Sequence, residues 1–155
     1  MTIVQGITLV IAILGAVLGI INTWYAVDTR RVKLKVVPKL AKFQPSNEES
    51  ICVEIINLGG FPVTISEVGF FQIGTQSRLT IIQPITFDDG AFPRRLEPHS
   101  AFTVHTSNLI GNPFALRMIS CAYAETQCGV VQKGNSNMLR SLVKTAKEFK
   151  TSSTP

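Results

Sequence analysis

The chain has 155 residues, 45% of them hydrophobic and 16% charged, and its formal net charge is +5 at pH 7. Beyond an apolar N-terminal segment about 128 residues remain, a common size for a single domain. The three cysteines are an odd number, which speaks against a disulfide framework and favours a reducing compartment.

Residues 3–21 form an unbroken apolar run without a charged side chain. At ~1.5 Å rise per residue the run gives a helix of roughly 28 Å, enough to cross the hydrocarbon core of a bilayer. Trp24 and Tyr25 follow the run and suit the headgroup region, where an amphipathic ring sits half in water. Residues 1–29 are therefore predicted to be a transmembrane anchor and its flank.

Two other interpretations of this run were weighed. A cleaved signal peptide has a basic start, a shorter apolar stretch and small residues at the cleavage site, whereas here bulky aromatic residues follow the run. A buried helix of a soluble protein would have to be covered all round, which a small domain can hardly do. An uncleaved anchor is the favoured prediction.

Basic residues follow the anchor, and they predict its orientation. The positive-inside rule places such a flank in the cytoplasm, so we expect an outside N-terminus and a cytoplasmic C-terminal domain at a bacterial inner membrane. A solvated strand face is a second explanation of the same charges, because lysines alternate with apolar residues here. The predicted membrane-flank residues are Trp24, Tyr25, Arg30, Arg31, Lys33 and Lys35.

Small residues at helical spacing within the anchor predict a helix–helix contact, since they let two backbones approach closely in lipid. Small residues are also simply common in membrane helices. The candidate contact residues are Ala12, Gly15, Ala16 and Gly19.

The domain over residues 30–134 is predicted to be mainly β. Short runs with period-two alternation are separated by turn residues, which is typical of a sandwich of two antiparallel sheets. Pro38 is expected to end the first strand or mark an edge, and Gly69 to mark a bulge. Predicted strands cover 32–36, 50–56, 61–73 (one strand or a pair), 79–82, 101–105, 114–124 and 129–132, with turns at 57–60, 88–90, 96–100 and 125–128.

A C-terminal amphipathic helix is predicted over 135–150, capped by Ser136 and followed by a polar tail, 151–155. Its apolar side comprises Leu139, Leu142, Val143 and Ala146. The helix either packs on the sheets, which we favour, or lies on anionic lipid or a partner. The residues for such a lipid or partner contact are Arg140, Lys144, Lys147 and Lys150.

Several of these segments together resemble a class of small bacterial single-pass membrane proteins with an immunoglobulin-like β-sandwich domain. The resemblance spans roughly residues 5–133, but its motifs are strand and turn signatures. It implies an anchor and a fold, and it brings no activity. The segments are 21–25 (INTWY), 30–36 (RRVKLKV), 53–59 (VEIINLG), 62–70 (PVTISEVGF) and 95–98 (RLEP) followed by Ser100.

No catalytic or metal site is predicted, and no cofactor is expected. His99 and His105 with the cysteines do not match the spacing of common zinc sites. Asp88-Asp89-Gly90 lacks the carboxylates of a calcium loop. If the domain lay outside the cytoplasm, Cys121 and Cys128 would be the best pair for a disulfide.

The sequence therefore favours a membrane-anchored binding or scaffolding module at the inner membrane face, without catalysis. The alternative is an accessory subunit of a membrane transport or envelope complex that associates through its transmembrane helix. The expected partners are membrane lipid, an unidentified protein and, through the helix, a second copy of the chain. No nucleic-acid partner is expected.

Overall fold

The computed structural model describes residues 2–43, 48–75, 77–81, 91–106, 109–110 and 112–151. It divides into two compact units, Met1–Arg31 and Val32–Pro155.

The first unit is one continuous helix, α1 (Ile3–Thr29), and none of its residues is buried. It is long and apolar enough to cross a membrane. The hydroxyls of Thr8 and Thr23 donate hydrogen bonds to carbonyls one turn earlier, at 2.9 and 2.8 Å, so these polar groups are satisfied within the helix. The helix continues about two turns past the apolar run, so Trp24 and Tyr25 belong to it instead of following it.

The second unit holds two antiparallel sheets and two helices. One sheet has the order β1-β2-β6, and the other has the order β4-β3-β7-β8 with β5 also paired to β3. The strands are β1 (Leu34–Phe43), β2 (Glu48–Asn57), β3 (Val63–Gln72), β4 (Arg78–Thr80), β5 (Arg94–Leu96), β6 (Ala101–His105), β7 (Ile119–Thr126) and β8 (Val131–Gly134), and the helices are α2 (Pro113–Arg117) and α3 (Asn137–Thr151).

Both sheets contribute their alternate, inward side chains to one hydrophobic core. Ile51, Val53 and Ile55 represent the smaller sheet, and Val68 and Phe70 the larger one; all five are buried. Burial of such side chains contributes roughly 25 cal/mol per Å² of apolar surface, which is the main stabilising term.

Helix α3 packs against this core, as favoured from the sequence. Leu139, Val143 and Ala146 are buried and Leu142 is half-buried against the core. Ser136 caps α3, as predicted, because its hydroxyl accepts a hydrogen bond from the Leu139 amide at 3.2 Å.

The predicted strand over 114–124 is wrong in its first part. Residues Pro113–Arg117 are helical, and β7 begins only at Ile119. The Asn112 side chain accepts a hydrogen bond from the Ala115 amide, and a proline at the first helical position suits a helix start.

The structure gives Pro38 and Gly69 roles that differ in part from the predicted ones. Pro38 lies inside β1 and does not end it, but β1 is an edge strand, so the edge interpretation holds. The bulges of β3 fall between Ile65 and Glu67 and beyond Phe71, not at Gly69. A Cβ at Gly69 would collide with the Leu79 carbonyl, so glycine permits the close approach of β4.

The bounds of other strands differ from the prediction: β1 runs on to Phe43 beyond its predicted end at 36, β8 begins two residues later than predicted, and β5 was not predicted. Strand β6 has the predicted bounds, whereas β7 runs on to Thr126 and shortens the turn predicted at 125–128. The reversal after β2 is held by Asn57, whose side-chain amide donates to the Phe61 carbonyl at 2.8 Å. The predicted turn at 88–90 lies outside the described residues.

Candidate functional site

The outer face of the larger sheet carries polar and aromatic side chains that four strands bring together. On β3, the residues that alternate with buried Val68 and Phe70 point away from the core. The register pairs Phe71 with Arg78 of β4, and Tyr123 of β7 with Lys133 of β8. This set, the outer cluster, comprises Glu67, Phe71, Arg78, Thr80, Tyr123, Glu125 and Lys133.

Tyr123 organises one half of the outer cluster. It is fully buried, and its hydroxyl donates a hydrogen bond to Glu67 Oε1, to which Thr80 also donates at 2.7 Å. Burial raises the pKa of Glu67, but the two hydrogen bonds and the charge of Arg78 outweigh it and hold that pKa below its ordinary 4.5. Burial and the bond to Glu67 raise the pKa of Tyr123 to about 12, so the phenol stays protonated.

Two cations form the other half. The Arg78 guanidinium makes an ion pair with Glu125 and lies 5.7 Å from the Phe71 ring and 5.4 Å from the Tyr123 ring. The Lys133 ammonium lies 4.4 Å from the centroid of the Phe71 ring. Cation–π contacts contribute about 0.5–2 kcal/mol each, so the aromatic faces hold both cations in place.

A cavity of about 620 Å³ opens beside the outer cluster. The described residues of its wall include two cations, Arg78 and Lys133, and no carboxylate, although Arg78 is ion-paired with Glu125 outside the wall. The wall residues with rings, charges, a thiol or hydroxyls are Phe71, Arg78, Lys133, Cys121, Thr75 and Ser120.

The outer cluster was not predicted from the sequence, because its members are far apart in the chain. The signal that could have found it is the alternation Glu67-x-Gly69-x-Phe71, which puts polar and aromatic residues on the face opposite Val68 and Phe70. Pairing that face with β7 and β8 requires the strand register, which a single sequence does not give.

The predicted membrane-flank residues lie at the end of α1 and the start of β1. Trp24 and Tyr25 are 78% and 70% exposed on the last turns of the helix. Arg30 caps the helix, Arg31 follows it, and Lys33 and Lys35 are exposed next to buried Leu34 and Val36 of β1. Both sequence interpretations of the lysines, a basic flank and a solvated strand face, are compatible with these positions.

The candidate helix-contact residues Ala12, Gly15, Ala16 and Gly19 lie on one face of α1, at spacings of three and four. A Cβ on either glycine would meet nothing within 4 Å, so this face is open.

The basic side of α3 faces solvent. Arg140, Lys144 and Lys147 are exposed, and Lys144 lies 3.9 Å from Glu148. The Lys150 side chain lies outside the described part. A contact of these residues with lipid or a partner stays a prediction.

Histidines and cysteines are dispersed. His99 lies in a turn, and His105 is buried at the end of β6, opposite Cys52. Burial lowers the pKa of His105 and raises that of Cys52. Within the described ranges no three His, Cys, Asp or Glu side chains are grouped to hold a metal ion.

The structure contradicts the choice of Cys121 and Cys128 as a disulfide pair. Cys121 lies near the start of β7 and Cys128 in the turn beyond its end. At ~3.3 Å per strand residue, Cys121 is roughly 17 Å from Thr126, whereas a disulfide needs Cα atoms within about 7 Å. Both cysteines are free thiols, as is Cys52.

Comparison with known proteins assigns no family. No family model matches this chain. No curated protein matches it either.

Proposed function

We propose that this protein is a membrane-anchored binding or scaffolding module that presents its β domain at the inner membrane face and carries out no catalysis. The observation that carries the proposal is α1, whose residues 3–21 are an unbroken apolar run and which has no buried residue. Such a helix suits lipid, because its interior backbone groups are bonded within the helix and the hydroxyls of Thr8 and Thr23 donate to its own carbonyls.

We infer that the two sheets form an immunoglobulin-like sandwich, in the class of small bacterial single-pass proteins that the sequence resembles. In immunoglobulin domains one sheet contains strands A, B and E, and the other contains C, F and G, with C′ added in variable-type domains. The orders β1-β2-β6 and β4-β3-β7-β8 correspond to A-B-E and C′-C-F-G. Such sandwiches serve many unrelated functions, so the fold supports binding without specifying the partner.

The orientation rests on the basic residues that follow α1. Arg30, Arg31 and Lys35 are exposed and close in sequence to the helix end, where Lys and Arg carry the positive-inside rule. The domain is therefore proposed to lie in the cytoplasm, where its three cysteines stay reduced.

The alternative is an accessory subunit of a membrane transport or envelope complex. The observation that favours it is the open face of Ala12, Gly15, Ala16 and Gly19, which would let a second transmembrane helix approach closely. In that case α1 itself makes the main contact, with another subunit or a second copy of this chain.

A helix-exchange experiment separates the two functions. Residues 3–29 are replaced by an unrelated single-pass helix, with Arg30 onward retained, and proteins crosslinked in membranes are quantified for the native and exchanged chains. A binding module keeps its crosslinked proteins in native amounts after the exchange. Loss of those proteins on exchange, with the helix alone sufficient to retain them, would contradict the module and favour the subunit.

A further inference from the structure

The wall of the cavity beside the outer cluster holds two cations, Arg78 and Lys133. Arg78 is ion-paired with Glu125, whereas Lys133 has no ion pair with a carboxylate of the described residues. A guanidinium has five N–H donors, so an ion pair through one Nη leaves donors for a ligand. Lys133 contacts the Phe71 ring and keeps its ammonium donors for the cavity.

An exposed apolar rim adjoins this cavity. Ile73 lies between the wall residues Gln72 and Gly74, and its amide donates to the Met118 carbonyl at 2.7 Å. Phe114 is one helical turn before Met118 on α2. Ile73, Met118 and Phe114 are exposed by 40%, 39% and 66%, so they offer apolar surface to a partner.

We propose that the cavity binds a carboxylate side chain of a protein partner while the apolar rim packs against the residues beside it. The planar guanidinium suits a planar carboxylate, and the rim adds apolar contact that a free inorganic anion could not use. This inference rests on the proposed binding function and names the chemistry of the partner segment.

The natural thiols provide the assay. Cys121 is a half-buried wall residue, whereas Cys128 is exposed in the β7–β8 turn and is not a wall residue. Full-length protein in nanodiscs of neutral lipid is treated with iodoacetamide, and the alkylation rates of the two cysteines are read by peptide mass spectrometry. The probe is a blocked Leu-Glu-Leu peptide, and the matched control is a blocked Leu-Gln-Leu peptide.

The acidic peptide is expected to slow alkylation of Cys121 at least fivefold at saturation and to leave Cys128 unchanged, while the amide peptide has no effect. Lys133→Gln is expected to raise the half-saturating concentration of the acidic peptide about fivefold, the usual effect of losing one solvent-exposed charge pair. Arg78→Gln should do the same or more. The matched control is Arg95→Gln on β5, which breaks an exposed ion pair with Glu97. This substitution should not change the half-saturating concentration of the acidic peptide.

Three results would overturn the inference. One is equal protection of Cys121 by both peptides, or by neither. A second is protection by inorganic phosphate at the same concentration as the acidic peptide. The third is protection by anionic lipid in the nanodisc without peptide, which would make a headgroup the ligand. Because the nanodisc exposes both membrane sides, a wrong orientation leaves this assay unaffected.

Discussion

Tyr123 is the residue that links the two halves of the outer cluster. Its ring lies 4.7 Å from the Phe71 ring, centroid to centroid, and 5.4 Å from the Arg78 guanidinium, while its hydroxyl donates a hydrogen bond to Glu67. Fully buried tyrosines usually need such a hydrogen-bond partner. Removal of this one hydroxyl should therefore change both the free energy of unfolding and its dependence on pH.

Tyr123→Phe is expected to lower the free energy of unfolding by about 2 kcal/mol at pH 7, the cost of losing a hydrogen bond to a charged group. The folded-state pKa of Glu67 lies below 4.5, so the stability from this pair is present above pH 4.5 and is lost as pH falls through the folded-state value. The variant should thus differ least from the native chain in acid. Denaturant unfolding at several pH values measures this, with Tyr25→Phe on exposed α1 as control. A constant difference at all pH values would contradict the assigned hydrogen bond.

His105 makes a second prediction at this scale. Burial lowers its pKa below the ordinary 6.5, so the folded protein binds fewer protons than the unfolded chain below pH 6.5. Above pH 6.5 the titration of His105 therefore does not change the free energy of unfolding. Below pH 6.5 that free energy falls as the pH decreases, by at most about 1.4 kcal/mol per pH unit for one group. His105→Gln should remove this slope, whereas His99→Asn, at an exposed turn position with φ of 54°, should keep it. An unchanged slope in His105→Gln would show that another group titrates.

At the scale of elements, segments with a clear hydropathy or spacing pattern were predictable from the sequence, and those that depend on a cap or on strand register were not. Hydropathy or residue spacing indicates helix α1, strand β6 and helix α3 directly. Helix α2 is only five residues long and depends on the Asn112 cap, which a run of apolar residues conceals. The outer cluster escaped prediction because it unites β3, β4, β7 and β8, and bulges in β3 shift the register that joins them.

The packing of α3 gives a prediction for an element. Leu139 is fully buried in the core, whereas Leu142 is half-buried. Leu139→Ala should cost about 2–5 kcal/mol, and Leu142→Ala should cost less, because less of its surface leaves the core. Hydrogen exchange of the β2 amides in the full chain measures global stability without a signal from α1. Ser141→Ala, exposed on the same helix, is the control; equal effects of all three substitutions would contradict the packed helix.

For the whole molecule, an apolar helix precedes a β domain whose outer face offers cations on aromatic rings. We propose one contact for each part: lipid for α1, and a partner segment for the outer cluster. The basic residues after α1 bear on both proposals, because the positive-inside rule uses them to assign the domain to a compartment.

Labelling of Cys128 tests whether the chain keeps its anchor and has its domain in the cytoplasm. This thiol is exposed, while Cys52 is buried and Cys121 half-buried, so it reports which side of the membrane the domain occupies. Bacterial spheroplasts are treated with a membrane-impermeant maleimide before and after permeabilisation, and the protein is recovered from the membrane fraction, with Cys128→Ser as the control for specificity. We expect a full-length, membrane-bound chain whose Cys128 is labelled only after permeabilisation. Labelling in intact spheroplasts, or recovery of a shortened soluble chain without residues 3–21, would contradict this expectation.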